Sequence, residues 1–392
     1  MRTSMKRLCS LLVTALVISL GGAPARAQKV ATVLIDAEFS HPTSTSAQAI
    51  ELGARMAARE IEQSGLLGDI RLEIRTSDNR GVSAIGVDNF LDAAKDPSVI
   101  AVMGGKFSPV QIEVVPYAHS EKLILLDPWG SADGIVDNGY RPNWAFRLSL
   151  KDEWASQAFV QTAKKLGARQ IGVILPNTAW GRSTQTALAA QARTSALRIV
   201  GERWYNWGET SLIQRYQDLI ADGAEIIVLV ANEIEGSILV REVAQVPENQ
   251  RRPILSHWGV TGGNFEKLAP QVSGLDFRVV QTFSFHKPRT EKAKAFLRDV
   301  MAATGKSAIG EIDSPAGIAH AYDLTWMVGK AIAKAGSTDR DKIRDALETL
   351  GPHEGVVRNY PKPFSADSHE ALSKDEVFFA RFRAENGLVP ED

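Results

Sequence analysis

The stretch that decides the predicted fold runs from Val99 to Ser131 and reads VIAVMGGKFSPVQIEVVPYAHSEKLILLDPWGS. Residues 99–103 are continuously apolar, which is typical of a strand buried on both faces of a parallel sheet. The Gly104-Gly105 pair then allows a sharp turn. Ser108 and Pro109 indicate a helix start, because serine is a frequent N-cap and proline suits the first helical turn.

A second strand and loop follow this helix. Residues 122–126 are again apolar enough for a buried parallel strand, and residues 127–131 break the chain beyond the carboxyl end of that strand. Ligands of open α/β sheets bind at this edge, and a helix start there offers unpaired N–H groups and a partial positive charge. We therefore predict an anion site at Ser108, which otherwise serves only as a cap. Asp127 is expected to cap the following turn or to face the ligand.

The composition indicates an exported globular protein. The chain has 392 residues, of which 44% are hydrophobic and 23% charged, enough for two domains. Residues 1–27 read as a signal peptide, with basic residues, a short apolar run at 11–20 and an A-x-A cleavage site at Ala25–Ala27. Cys9, the only cysteine, leaves with the signal. The predicted location is the periplasm.

Charge and motif content exclude several function classes. Removal of residues 1–27 leaves 41 Lys and Arg against 46 Asp and Glu, a formal net charge near −5. This balance argues against nucleic acid or an anionic membrane as the main partner. The sequence has no G-x-S-x-G, H-E-x-x-H or G-x-G-x-x-G motif, and its histidines lack ligand spacing. We expect no catalytic residues, metal site or cofactor.

Strands and helices alternate along most of the chain. The alternation of residues 29–131 starts again at residue 151, and two such blocks predict two doubly wound sheets. Residues 277–285 are predicted to be a strand that passes between lobes. Three helices and then two strands are expected after it, at 290–303, 315–335, 339–350, 356–360 and 377–383.

With these elements in order, the chain resembles the type I periplasmic solute-binding proteins of the leucine/isoleucine/valine-binding family, the receptors of ABC importers. The likeness spans the mature chain and is carried by IELGARMAAREIEQSG, TSDNR, AVMGGKFSPVQIEVVP, KLILLDPWGS, NTAWGRS and a final pair of strands. It implies an α/β fold of two Rossmann-like lobes joined by three crossovers, with a small-molecule solute trapped between them. The implied partner is a permease in the inner membrane, and the implied state is a monomer.

The resemblance also implies domain boundaries and a site. Residues 1–27 are the signal peptide, 28–148 plus 284–352 form lobe 1, and 149–283 plus 353–392 form lobe 2. In the family, a carboxylate is held by groups that match Ser108, the main chain at Trp129 and the hydroxyl of Ser131.

The family's amino-acid binders also have a second-lobe acid that pairs with the ligand's ammonium. Its place matches Trp258 here, with Glu233 or Glu235 at a neighbouring strand end as alternatives. An indole in place of that acid would leave an α-ammonium unpaired.

Three tryptophans fall where they should face the cleft, although tryptophan more often fills a core. Trp129, Trp180 and Trp258 suit a planar or aromatic acid, or a cation bound to a ring face. The remaining tryptophans are assigned to cores, crossovers or surfaces: Trp144, Trp154, Trp204, Trp207 and Trp326.

The first functional hypothesis is a receptor that traps a small carboxylate-bearing solute, aromatic or apolar, for an ABC importer. The alternatives are a ligand-sensing protein that serves a signalling receptor, and a branched-chain amino acid binder. A periplasmic enzyme on the same scaffold is the least favoured, since no nucleophile and base pair is visible.

Overall fold

The computed structural model describes residues 28–384 and 386–391. The predicted signal peptide, including Cys9, lies outside the described residues. No helix in the described segments is both long and apolar enough to cross a membrane. These segments form two mainly parallel sheets flanked by helices, as the alternation of the sequence predicts.

The first sheet comes from the amino-terminal part of the chain. Its strands are β1 Lys29–Ala37, β2 Ile70–Asp78, β3 Val99–Gly104, β4 Ile124–Asp127 and β5 Ala145–Arg147. They are parallel and lie in the order β2-β1-β3-β4-β5. Every residue of β3 and β4 is buried, as expected for strands covered by helices on both faces.

The second sheet is wider and carries an antiparallel edge. The remaining strands are β6 Gln170–Pro176, β7 Arg198–Tyr205, β8 Ile226–Leu229, β9 Ile254–Ser256, β10 Phe277–Gln281, β11 His353–Glu354, β12 Asn359–Tyr360, β13 Phe378–Arg383 and β14 Gly387–Pro390. The sheet order is β14-β13-β10-β9-β8-β6-β7, in which β13 and β14 are antiparallel to their neighbours. Strands β11 and β12 form a separate small hairpin.

Helices cover both sheets. They are α1 Ser46–Ser64, α2 Ser83–Lys95, α3 Ser108–Ser120, α4 Asp152–Lys165, α5 Ala179–Arg193, α6 Ile213–Ala221, α7 Glu233–Val243, α8 Phe265–Leu268, α9 Glu291–Thr304, α10 Pro315–Ala335 and α11 Arg340–Glu348. The stripe Ile50, Ala54, Ala57 and Ile61 of α1 is fully buried, which confirms its helical spacing as a core face.

The chain passes between the two sheets three times, after β5, after β10 and after α11. This is the three-segment connection that the resemblance implies. Helix α10 returns to the first sheet and packs along α1. Each lobe is therefore built from segments that are not contiguous in sequence. The residue boundaries of the lobes stay predictions.

The prediction of the final strand pair is wrong. Residues 356–360 do not pair with residues 377–383; β13 pairs instead with β14, which the sequence analysis missed. Strand β14 contains Gly387 and Pro390, and both residue types are unfavourable within strands, so the sequence gives little indication of this strand. It is tolerated because it is the outermost strand, where a missing N–H donor costs little.

A close approach of two helices should make Gly53 intolerant of a side chain. A Cβ atom at Gly53 would lie 2.0 Å from the carbonyl oxygen of Ile318 in α10. We expect Gly53→Ala to lower the free energy of unfolding by about 1–3 kcal/mol, since overpacking outweighs the gain in helix propensity. Urea unfolding measures the change. Gly274→Ala, where a Cβ meets nothing within 4 Å, is the control and should be nearly neutral. Equal stabilities would contradict the packing described.

Candidate ligand-binding site

Ser108 lies at the predicted edge but does not cap its helix. The N-cap residue of α3 is Phe107, and no side-chain cap is formed. The Ser108 hydroxyl oxygen instead accepts the N–H groups of Ser131 at 3.1 Å and Ala132 at 3.3 Å. The capping prediction is wrong because this side chain turns toward the loop that follows β4. Its lone pairs hold that loop, and its own hydrogen remains able to donate.

Asp127 caps the turn after β4, which confirms the first of the two roles predicted for this residue. Its Oδ1 accepts the N–H groups of Trp129 at 3.0 Å and Gly130 at 2.5 Å, and the side-chain amide of Gln111 at 3.0 Å. Burial raises the pKa of Asp127 to about 7. The amide of Trp129 is therefore bonded within the protein, so the main-chain contact implied by the resemblance is not free at that N–H.

Four indoles from the two sheets surround one small space. Trp129 and Trp258, each 1% exposed, follow strands of different sheets, and their ring centroids are 5.2 Å apart at an interplanar angle of 31°. Trp180, in the first turn of α5, contacts the edge of His257. Trp207 packs against Phe107. Trp207 was predicted to lie in a core, a crossover or a surface, but its position just after β7 places it at the same edge.

These indoles enclose a cavity between the two sheets. Its free space is about 10 Å³, the room of about one water molecule. Any larger ligand therefore requires the lobes or the indoles to move apart. The cavity is lined by Lys106, Phe107, Ser108, Pro109, Trp129, Ser131, Trp180, Trp207, Asn232, Trp258 and Gly259. Five of the six predicted site residues are among them, and Glu233 is bonded to Lys106 beside it.

The cavity is rich in unused hydrogen-bond donors. Among the described residues that line it, Ser131 Oγ, Trp180 Nε1 and Trp207 Nε1 are buried without a hydrogen-bond partner. An indole N–H can only donate, and a hydroxyl can donate. Buried polar groups are normally paired, so three unpaired donors around one space favour a ligand that brings acceptor atoms.

A buried ion pair joins the two lobes beside this cavity. Lys106 Nζ, between β3 and α3, lies 2.7 and 2.9 Å from the carboxylate oxygens of Glu233, the first residue of α7. Their side chains are 1% and 0% exposed. The Thr43 hydroxyl donates to the same carboxylate at 2.9 Å. Burial would raise the pKa of Glu233, but the charge and hydrogen bond of Lys106 outweigh it and hold the pKa below its ordinary value.

Glu233 is thus already paired within the chain, and its predicted contact with a ligand stays a prediction. The alternative, Glu235, accepts the N–H of Gly208 at 3.2 Å, and burial raises its pKa. Lys106 is a site residue that the sequence analysis missed. Its position between the Gly104-Gly105 turn and the helix start, at the predicted edge, could have indicated that it lies in the site.

A larger groove of about 670 Å³ lies nearby and shares no lining residue with the tryptophan cavity. Phe283, Phe285 and Phe382 line it, and Gln281 presents a buried amide nitrogen without a partner. The charged residues around it carry both signs, so its chemistry favours no single ligand charge. No group of three acidic, cysteine or histidine side chains within the described residues could hold a metal ion.

Comparison with known proteins identifies the family. Residues 37–385 match the family model described as periplasmic binding protein. The chain belongs to this family. The curated proteins include one relative, an uncharacterized protein from Methanocaldococcus jannaschii, 24% identical over 229 residues. That match covers 54% of this chain and 50% of the relative, so the chain spans about half the length of that protein.

Solved structures of periplasmic binding proteins share the fold along nearly the whole chain. A type 1 protein from Bordetella pertussis has a TM-score of 0.82 and 18% identity, covering 92% of this chain and 99% of its own. A leucine-binding protein from Thermotoga maritima has a TM-score of 0.78 and 16% identity, covering 92% and 98%. A solute-binding protein from R. palustris in complex with 4-hydroxybenzoate has a TM-score of 0.75 and 15% identity, covering 93% and 96%. The fold of this periplasmic binding protein is therefore the two-lobed type I fold.

His320 supports the cavity from behind. This residue of α10 contacts Trp258, and its Nδ1 lies 2.9 Å from the carbonyl oxygen of Pro128. Because a carbonyl only accepts, Nδ1 carries the hydrogen and Nε2 accepts the Thr282 hydroxyl at 3.0 Å. Burial lowers the pKa of His320 to about 4, below the ordinary value of 6.5.

This shift should make stability depend on pH. The unfolded chain binds a proton at residue 320 between pH 6.5 and 4 while the folded protein does not, so stability falls as the pH falls through that range. The loss from this group is at most about 1.4 kcal/mol per pH unit. Other buried histidines such as His353 add to the dependence of stability on pH. The contribution of His320 is therefore isolated by comparing the wild type with His320→Gln in urea unfolding at pH 7 and 4.5. The variant should show the shallower dependence; identical slopes would contradict the neutral, buried histidine.

Proposed function

We propose that this chain is the solute-binding receptor of an ABC importer and traps a small carboxylate-bearing solute with an aromatic or apolar body. The observation that carries the proposal is the set of unpartnered donors, Ser131 Oγ and the indole nitrogens of Trp180 and Trp207, around one interlobe cavity. Carboxylate oxygens accept such donors, and charge-assisted hydrogen bonds are the stronger kind.

The walls of the cavity support an apolar or aromatic body for the solute. Indole rings bury large apolar area and favour stacked or edge-to-face contacts with another ring. The proposed contacts are the hydroxyls of Ser108 and Ser131 with the carboxylate, and the rings of Trp129, Trp180 and Trp258 with the body. These rings come from both lobes, so solute contact would favour closure.

The known ligands of structural neighbours are consistent with such a solute. The R. palustris protein binds 4-hydroxybenzoate, and the T. maritima protein is a leucine-binding protein. Both ligands carry a carboxylate and an apolar body, but leucine also carries an ammonium group. The pairing of Glu233 with Lys106 favours the benzoate type over the branched-chain amino acid type.

The proposal extends to location and partners. A periplasmic location fits both the family and the sequence signature of residues 1–27. We propose that the closed, solute-bound monomer docks on a permease in the inner membrane. A binding assay with purified permease in the presence and absence of 4-hydroxybenzoate would test this step.

Removal of one cavity hydroxyl should weaken acid binding. We expect Ser131→Ala to weaken binding of benzoate or 4-hydroxybenzoate by about 1.5–3 kcal/mol, as for a lost hydrogen bond to a charged group. Isothermal titration calorimetry measures the change. Ser131 is preferred to Ser108 because the Ser108 oxygen also holds the loop after β4.

Two variants serve as controls for this prediction. Ser156→Ala removes another buried, unpartnered hydroxyl that does not line the cavity, and affinity should not change. Gln281→Ala changes the larger groove, and affinity should also be retained. Loss of binding in Gln281→Ala with unchanged binding in Ser131→Ala would assign the solute to that groove instead.

A further inference from the structure

Lys106 and Glu233 face each other from the two lobes of the structure. Lys106 belongs to the first sheet's loop after β3, and Glu233 begins α7 beside the second sheet. The ammonium contacts both carboxylate oxygens and also donates to the carbonyl of Gly262 at 3.3 Å. The start of α7 adds a partial positive charge that favours the carboxylate.

The neighbouring turn is shaped around this pair. A Cβ atom at Gly262 would lie 2.8 Å from Cδ of Lys106, and one at Gly263 would lie 2.6 Å from Cγ of Glu233. Two adjacent glycines therefore leave space for both side chains, and Gly263 also leaves space for the carbonyl oxygen of Thr43, which would lie 2.3 Å from its Cβ. This tight fit indicates a built arrangement rather than a chance contact of long side chains.

The other carboxylates near the cavity also have hydrogen-bond donors within the chain. Glu38 accepts the hydroxyls of Ser44 and Ser46 and the N–H of Lys106. Glu235 accepts the N–H of Gly208. Asp127 accepts three N–H donors at Oδ1, and its Oδ2 lies 3.9 Å from the guanidinium of Arg147. Of these carboxylates, Glu233 is the one whose partner is a cation that lines the cavity.

We propose that Lys106 determines ligand class by pairing with Glu233, so that the closed site accepts carboxylates without an ammonium group and rejects the matching α-amino acids. The inference rests on the proposed function and specifies its solute. An α-amino acid would have to displace Lys106 from Glu233 and leave a buried lysine uncompensated, or bury its own ammonium unpaired. A simple carboxylate meets neither cost, because the protein's ion pair is already neutral.

Matched ligand pairs test the inference. In each pair the two members differ in the ammonium group: 3-phenylpropanoate with L-phenylalanine, and 4-methylpentanoate with L-leucine. Calorimetry on the wild-type protein should show at least 30-fold tighter binding of the member without ammonium in each pair that binds. A wild-type preference for the amino acids would overturn the inference.

Variants of the ion pair identify the residue responsible. Lys106→Met keeps an apolar side chain of similar length but removes the ammonium, which leaves Glu233 able to accept an α-ammonium. The preference should shift at least 30-fold toward the amino acids. Lys106→Arg keeps the cation and should keep the wild-type preference. Lys151→Met removes a lysine that pairs with Asp137 and Glu153 outside the cavity, and it should also leave the preference unchanged.

The double variant Lys106→Met, Glu233→Gln removes both charges and should lose the amino acid binding that Lys106→Met gains. This loss would show that the gain depends on the Glu233 carboxylate and not on a change in folding. Circular dichroism melts would report folding of each protein. An unchanged preference in folded Lys106→Met would overturn the inference while leaving the proposed function intact. If the wild-type protein bound neither pair nor benzoate, the proposed function itself would fail, and the inference with it.

Discussion

The arrangement of the site depends on one constraint of parallel sheets, which is that every strand ends at the same edge. In each lobe the helices return the chain, so the residues just after the strands gather at the carboxyl edge. Lys106 follows β3, Ser131 follows β4, Trp207 follows β7 and Trp258 follows β9. Because the two edges face each other, residues far apart in sequence line one cavity.

This constraint explains how much the sequence could predict. The apolar runs and helical stripes are local signals, and they located most strands and helices and the edge that holds five of the six predicted site residues. The direction of a single side chain is not a local signal. Ser108 has the identity and position of an N-cap, yet its rotamer is set by contact with the loop at Ser131, which a helix pattern does not contain.

The Lys106–Glu233 pair was beyond sequence reasoning for a stronger reason. Its partners are separated by 127 positions and belong to different lobes, so the contact depends on how the lobes meet. A buried charge has a large desolvation cost unless it is paired. The burial of either side chain can therefore be explained only when the position of its partner is known. Trp207 was missed because a tryptophan after a strand is equally compatible with a core, and only the position of the facing lobe decides between the two.

The closed cavity also constrains what shape of solute can enter. The centroids of Trp129 and Trp258 are 5.2 Å apart, whereas a planar ring held between two rings needs roughly 7 Å, from two contacts of about 3.5 Å each. Insertion of a planar ring therefore separates the two indoles by about 2 Å. One contact between the indoles is replaced by two contacts, one on each face of the inserted ring. Apolar burial increases in that exchange, while a bulky branched body would separate the rings, and with them Lys106 and Glu233, much further. The interlobe ion pair and the tilted indole pair thus both favour a thin solute.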